Sequence, residues 1–402
     1  MGLEKDEQQA LSPVDQAAML ARVEQWCAIN SGTGNLPGLA RQAEALAAAF
    51  AALPGDVSLV DPAPVTAIDA GGRRIEQAHG QHLLLRVRPD APRRVLLTGH
   101  MDTVYPADHP FQSARWLDGA TLNAPGSADM KGGLAVMLEA LLALEMTAAA
   151  AAFGYDVLIN ADEETGSLSS AALIAQLAAG KAAALTYEPA TAPDGTLAHA
   201  RGGTGNFSLV VRGRSAHAGR NPQDGRNALV AAAELALRLA RAAAPGLTVN
   251  PARIDGGGPN NVVPALAVLR INFRPADAAA IAHAQAQLDA AAAAIETEHD
   301  VAVEVHGSFN RPPKPLDPAA ERLFRLVRSA GADLGVPIAW KATGGVCDGN
   351  NIAAAGVPVV DTMGVRGGAI HSPEEFMIIP SLQERAALSV VTMMRIANGG
   401  AA

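Results

Sequence analysis

Cysteine is almost missing from this chain. Cys27 and Cys347 are the only two in 402 residues. Two cannot build a disulfide framework, so the sequence predicts a reducing compartment and, with it, a cytoplasmic location. A basic excess is missing too. The formal net charge is −9, with acidic and basic residues interspersed. That charge argues against nucleic-acid and membrane-surface partners and favours solubility. No run approaches the roughly 18 strongly apolar residues of a membrane span. The opening MGLEKDEQQALSPVDQ has no apolar h-region, so no signal peptide is expected. Alanine-rich runs such as TAAAAAFG and DAAAAAIE read as helix-forming filler. No internal repeat is present. RGGTGN and GGGPNN lack the Lys-Ser/Thr of a phosphate loop and its strand-to-helix context. They read as a domain hinge and a turn. Cys347, in GGVCDGNN, has no neighbouring His, which favours a structural or lining role over a nucleophile.

What is present is ample apolar surface, with 49% hydrophobic residues in a chain long enough for two domains. Residues 14–29 and 36–52 carry helical periodicity. Strand-like HLLLRV and RRVLLTGH follow. A Gly/Pro loop, NAPGSADMKGG, leads into the helix LAVMLEALLAL. Then come the strand YDVLINA, a polar DEETGS turn, a helix near SSAALIAQLAA and the strand AALTYE. Alternation of this kind predicts an α/β domain with a helix-covered, mostly parallel sheet. Near residue 201 the texture changes. NFSLVVRGR, a helix over GRNALVAAAELALRLARAA, LTVNPARI, ALAVLRINFRP, a helix over IAHAQAQLDAAAAAIETE and VAVEVHGSF make β-α-β-β-α-β. That order predicts a ferredoxin-like α+β unit. Proline-rich NRPPKPLDP closes it. The expected division is 1–201 and 312–402 for a two-part catalytic domain, with 202–311 inserted as a lid and dimerisation domain.

One chemical pattern repeats through the predicted catalytic half. VLLTGHMDTVYP delivers His100 and Asp102 at a strand end. Asp129 sits in GSADMKGG ahead of a helix. Glu163 and Glu164 follow VLINA, Glu188 follows ALTY, and His371 sits in GGAIHSPEEF after VPVVDTM. Each acid or imidazole lies at or beyond the end of an apolar strand, where ligands collect in such sheets. Taken singly these segments are commonplace: a DEE turn is usually solvated, and a Glu-Pro is usually a turn. Jointly they suit two divalent metals, zinc foremost, with cobalt or manganese also fitting. Ions in such pairs sit about 3.5–4 Å apart, so one carboxylate must bridge them. A further carboxylate must stay unligated to act as base. The adjacent Glu163-Glu164 offers one of each.

The blocks VLLTGHMDTVYP, APGSADMKGGLAVMLEAL, INADEETGS, TYEPA, GRSAHAG, NNVVPA and GAIHS together resemble a metallohydrolase family. It includes bacterial glutamate carboxypeptidase, acetylornithine deacetylase, succinyl-diaminopimelate desuccinylase and aminoacylases. The resemblance spans roughly residues 20 to 395 and is nearest to glutamate carboxypeptidase. It implies Asp129 as the bridging carboxylate, His100 and Glu188 completing one metal, and Glu164 and His371 completing the other. It implies Glu163 as general base, Asp102 as the acid that orients His100, and a cis peptide between Asp129 and Met130. Many relatives carry a second acid where this chain has Met130, so that position departs from the pattern.

The same resemblance implies that His217 reaches across a dimer interface to steady an oxyanion in the partner's site. Asn261 would assist. For His217 a plain surface histidine is the competing reading. The resemblance gives Arg311, in SFNRPP, as the grip on a substrate carboxylate, and an arginine covering the domain junction competes equally. Arg366, close to His371 in sequence, fits the same job, and sequence does not separate the two. The strand NFSLVVRGR is expected to pair edge to edge with its copy across a two-fold axis, making a homodimer. The expected activity is hydrolysis of the amide bond of a small N-acyl amino acid or dipeptide-like substrate, releasing a C-terminal amino acid. An N-acyl amino acid deacylase, an aminopeptidase and an inactive metal-binding scaffold are the alternatives. The intact Glu163 argues against the last.

Overall fold

Runs of apolar residues make strands that need cover on both faces. Arg93–His100 and Phe153–Asn160 are such runs, and the second is buried along its whole length. In the computed structural model, which describes residues 2–400, they pair side by side and parallel. They form the middle of a six-stranded sheet in the order Asp56–Val60, His82–Val87, Phe153–Asn160, Arg93–His100, Ala183–Thr186, Val359–Val360. His82–Val87 runs against both its neighbours, while the other pairings are parallel.

Alternation along these strands sorts their side chains. Leu83, Leu85, Val95, Leu97, Val157 and Ile159 enter the main core, while Leu84, Leu96 and Leu158 enter a second cluster on the opposite face. The helices Gln16–Cys27, Leu36–Phe50, Gly132–Glu145, Pro318–Asp333 and Pro380–Ala397 supply the main core, whereas Ala171–Ala178 and Asp348–Ala354 cover the other face. Gly132–Glu145 is apolar nearly all round and accordingly buried nearly all round. No helix among the described residues is long and apolar enough to cross a membrane.

Residues 204–311 form a separate antiparallel sheet in the predicted β-α-β-β-α-β order. Its strands run Leu247–Gly256, Leu266–Pro275, Thr204–Arg212, Ala302–Arg311. The helices Ala228–Ala240 and Ala278–His299 pack on one face through Leu235, Leu239, Leu288 and Ile295. A hairpin, Val65–Ile68 with Arg74–Gln77, lies against the opposite face. Ile68 packs with Val210 and Val268, and Arg270 Nη2 donates to the Ile68 carbonyl at 2.8 Å.

This order corrects the expectation for NFSLVVRGR. Thr204–Arg212 is paired on both sides, so its hydrogen-bonding groups are already used. The free edges are Leu247–Gly256 and Ala302–Arg311. Cover on both faces explains why this strand is buried at most positions.

Candidate metal centre

The parallel strands bring their carboxyl ends to one rim. His100 is the last residue of its strand. Glu163 and Glu164 open a short turn just beyond Phe153–Asn160. Glu188 lies just beyond Ala183–Thr186, and Asp129 lies in the turn Ser127–Lys131 ahead of Gly132–Glu145. His371 comes from the loop between Gly367–Gly368 and Phe376–Ile378.

The predicted ligands meet there. His100 Nε2 is 3.0 Å from Asp129 Oδ1 and 3.8 Å from Glu188 Oε1. His371 Nε2 is 3.3 Å from Asp129 Oδ2 and 3.2 Å from Glu164 Oε2. The two oxygens of Asp129 thus face two different imidazoles. Ligand atoms of His100, Asp129 and Glu164 lie within 4.8 Å of one another, as do those of His100, Glu163 and Glu188. Glu163 is therefore at the same centre.

Charge at this rim is out of balance. Burial pushes the Glu163 carboxyl up to about 7; Arg311 opposes the rise and Glu188 adds to it. Burial and the nearby Asp129 raise Glu164 to about 8, and the same two causes raise Glu188. Burial also opposes ionisation of Asp129, but hydrogen bonds from His100 and His371 outweigh it and hold that carboxyl low. Contacts with Asp129 and Glu164 lift His371 to about 11. Without metal, protons on the imidazoles and acids supply the missing positive charge. A divalent cation supplies it directly, and imidazole with carboxylate is a donor set such ions accept. His100 Nδ1 is occupied by the Asp102 carbonyl at 2.9 Å, which leaves Nε2 as the ligating nitrogen. The residues fit the group.

Asp102 faces His100 Nδ1 with its carbonyl at 2.9 Å, while its carboxylate Oδ1 stands farther off at 3.5 Å. That carboxylate instead accepts from Thr33 Oγ1 at 2.7 Å and from the Glu163 and Glu164 amides, both at 3.2 Å. It fastens the Glu163–Glu164 turn to the His100 strand. The Asp129–Met130 peptide is cis, and Met130 Sδ accepts from the His100 amide at 3.3 Å.

A cleft of about 750 Å³ opens from the carboxylates toward the inserted sheet. Arg311 and Arg274 are in its wall and Arg366 is not. Arg311 is buried, with Nη2 2.8 Å from Glu163 Oε1 as an ion pair without hydrogen-bond alignment. The same nitrogen donates to the Glu163 carbonyl at 2.9 Å and to Ser167 Oγ at 2.8 Å. Arg366 is held by Glu384 at 3.2 Å and the Pro193 carbonyl at 3.3 Å. Arg274 was missed from sequence. It is an exposed side chain on the strand Leu266–Pro275, bonded to Asn272 Oδ1 at 2.8 Å, with no carboxylate partner among the described residues. Its only signal was a charge at an outward position of a strand that alternates apolar residues with Arg270, Asn272 and Arg274.

His217 and Asn261 are exposed, and neither lines the cleft within this chain. His217 Nδ1 accepts from the Gly219 and Arg220 amides, at 3.1 and 3.2 Å, and the Asn261 carbonyl accepts from Ala218 at 2.9 Å. Cys347 lines the cleft, buried, with Sγ accepting from the Gly349 amide at 3.3 Å, and both cysteines are free.

Fold and donor set together define a metal-dependent hydrolase. The sequence pattern of peptidase family M20/M25/M40 matches residues 96–395, and the chain belongs to that family. Carboxypeptidase G2 of Pseudomonas sp. (strain RS-16) is 29% identical over 407 residues, covering 96% of this chain and 91% of that protein. A tripeptidase from Staphylococcus aureus superposes with a TM-score of 0.73 at 23% identity, covering 96% of this chain and 99% of the other. The YXEP protein of Bacillus subtilis, described as a dinuclear metal binding peptidase, superposes with a TM-score of 0.66 at 14% identity, covering 95% and 98%. The two structural likenesses carry the fold.

Proposed function

We propose that the chain is a two-metal exopeptidase of the carboxypeptidase kind, releasing a C-terminal amino acid from a small N-acyl or dipeptide-like substrate. The observation that carries this reading is Asp129, whose two oxygens face His100 and His371 separately. Asp129 would bridge two ions, zinc foremost. His100 with Glu188 would complete one position, and Glu164 with His371 the other. Ions bound there supply Lewis acidity, lowering the pKa of water and polarising an amide carbonyl.

Glu163 does the proton work. Its carboxylate takes a proton from the attacking water and passes it to the leaving amine nitrogen. Arg311, paired to Glu163 and 3.4 Å from Asp348, steadies that carboxylate at the cleft wall. Arg274 is the arginine available to a substrate carboxylate, since the other cleft arginines, Arg201 and Arg311, already pair with Asp361 and Glu163, and Arg366 pairs with Glu384 outside the cleft. A cleft arginine without a protein carboxylate among the described residues favours a free C-terminal carboxylate over a free amine, which speaks against the aminopeptidase reading.

Residues 202–311 would act as the lid, and one of the two free sheet edges would pair with its copy in a homodimer. That pairing would bring His217 and Asn261 to the neighbouring subunit's site. A panel of N-acyl amino acids, dipeptides and folates tests the substrate class, assayed with zinc, cobalt or manganese after chelation. Turnover should require a free carboxylate on the leaving residue. Equal turnover of the amidated and free forms, or a demand for a free amine, would contradict the reading.

A further inference from the structure

Glu375 lies outside the metal-ligand set, four residues beyond His371, and is only 1% exposed. A carboxylate that deep needs partners for both oxygens. Oε1 accepts from the Ala128 amide at 2.9 Å and the Asp129 amide at 3.0 Å. Oε2 accepts from the Gly126 amide at 3.1 Å and Tyr105 Oη at 2.8 Å. Tyr105 Oη is also 2.8 Å from the Ser372 carbonyl, so its one proton lies between two acceptors on the same turn. From the other side, Asn123 Nδ2 donates to the Glu375 carbonyl at 2.6 Å and the Pro373 carbonyl at 2.9 Å.

One side chain thus ties together three segments. They are the loop after the His100 strand, through Tyr105; the 126–129 loop that carries Asp129; and the 371–375 turn that carries His371. The loop curls its amides inward around the carboxylate. Gly126 makes that curl with a φ of 73°, and a Cβ there would meet Thr103 Cγ2 at 2.8 Å. All four groups facing the carboxylate are donors, and only an acceptor with two oxygens answers them.

We infer that Glu375 is a positioning residue, holding the Asp129 loop and the His371 turn in the register at which both side chains reach one metal position. The inference rests on the reading of Asp129 and His371 as metal ligands. Glu375→Gln is the direct test. Glutamine keeps one acceptor oxygen and turns an amide NH2 toward two donors, so the loop loses half its hold.

Two readouts on the whole protein apply. Zinc competition with a chromophoric chelator should show the more weakly held zinc bound about 10–100-fold less tightly. Amide hydrogen exchange on the zinc-free protein should speed up across residues 126–129. Glu374→Gln, at the exposed neighbouring position, should change neither. Where Glu375→Gln does not fold by circular dichroism, Tyr105→Phe decides. It keeps the carboxylate, removes one donor, and should shift both readouts in the same direction by less. Unchanged zinc affinity overturns the inference, whether or not exchange accelerates, because the loop would then be loosened without consequence for the site. A parent protein that takes up no zinc would sink the metal reading itself. The exchange arm, run without zinc, still decides whether Glu375 holds the loop.

Discussion

The sheet rim and the inserted sheet carry their functional candidates in opposite ways. At the rim, His100, Asp129, Glu163 and Glu188 are buried and already converge. Their segments are fastened from behind by Asp102 and Glu375. On the inserted sheet, His217 and Asn261 sit exposed on turns, away from the cleft of their own chain. Burial of clustered acids at the rim disfavours their charged forms, a cost that a bound cation would relieve. The rim candidates converge within one chain, while His217 would gain a role only if a second copy brought it one.

Glu163→Gln bears hardest on this contrast. It keeps shape and hydrogen bonding but cannot take a proton. Metal content should stay at the parental level while turnover falls roughly 10²–10⁴-fold. Comparable turnover in the two proteins would mean that another group activates the water.

His217→Ala comes next. A lost oxyanion donor lowers turnover by about 10²–10³-fold, and metal content should not move. The contrast sharpens when His217→Ala chains are mixed with Glu163→Gln chains. A mixed dimer pairs an intact His217 with an intact Glu163 in one of its sites, so activity should partly return. With subunit exchange confirmed by mass spectrometry, silence in the mixture would place each site within a single chain.

Arg274→Ala should give the smallest effect. A charge-assisted hydrogen bond of about 1.5–3 kcal/mol corresponds to roughly 10–100-fold in kcat/KM. The loss should appear for substrates with a free carboxylate and vanish for their amides. An equal loss for both would make Arg274 a wall residue only.

What sequence revealed, and what it hid, follows the same division. Much of the rim was legible because His100, Glu163, Glu164 and Glu188 closely follow apolar runs, and strand ends are local features. His82–Val87 showed its apolar character, but its reversed direction did not show, since a run of leucines carries no polarity. The hairpin Val65–Gln77 went unread because Arg74–Gln77 is exposed throughout and offers no burial pattern. The interior place of Thr204–Arg212 depends on strands more than fifty residues away. Glu375 carries no local signal, because the amides it binds lie more than 240 residues earlier. The neighbouring strands and amides that give these residues their roles are set by tertiary pairing.

Metal counting on Asp129→Ala tests the central claim most directly. Parent and variant, each stripped and reloaded with zinc, would be compared by elemental analysis alongside circular dichroism. If Asp129 joins the two halves of the rim, the parent holds two ions per chain and the folded variant loses both. A folded variant that still holds two ions per chain would contradict the account.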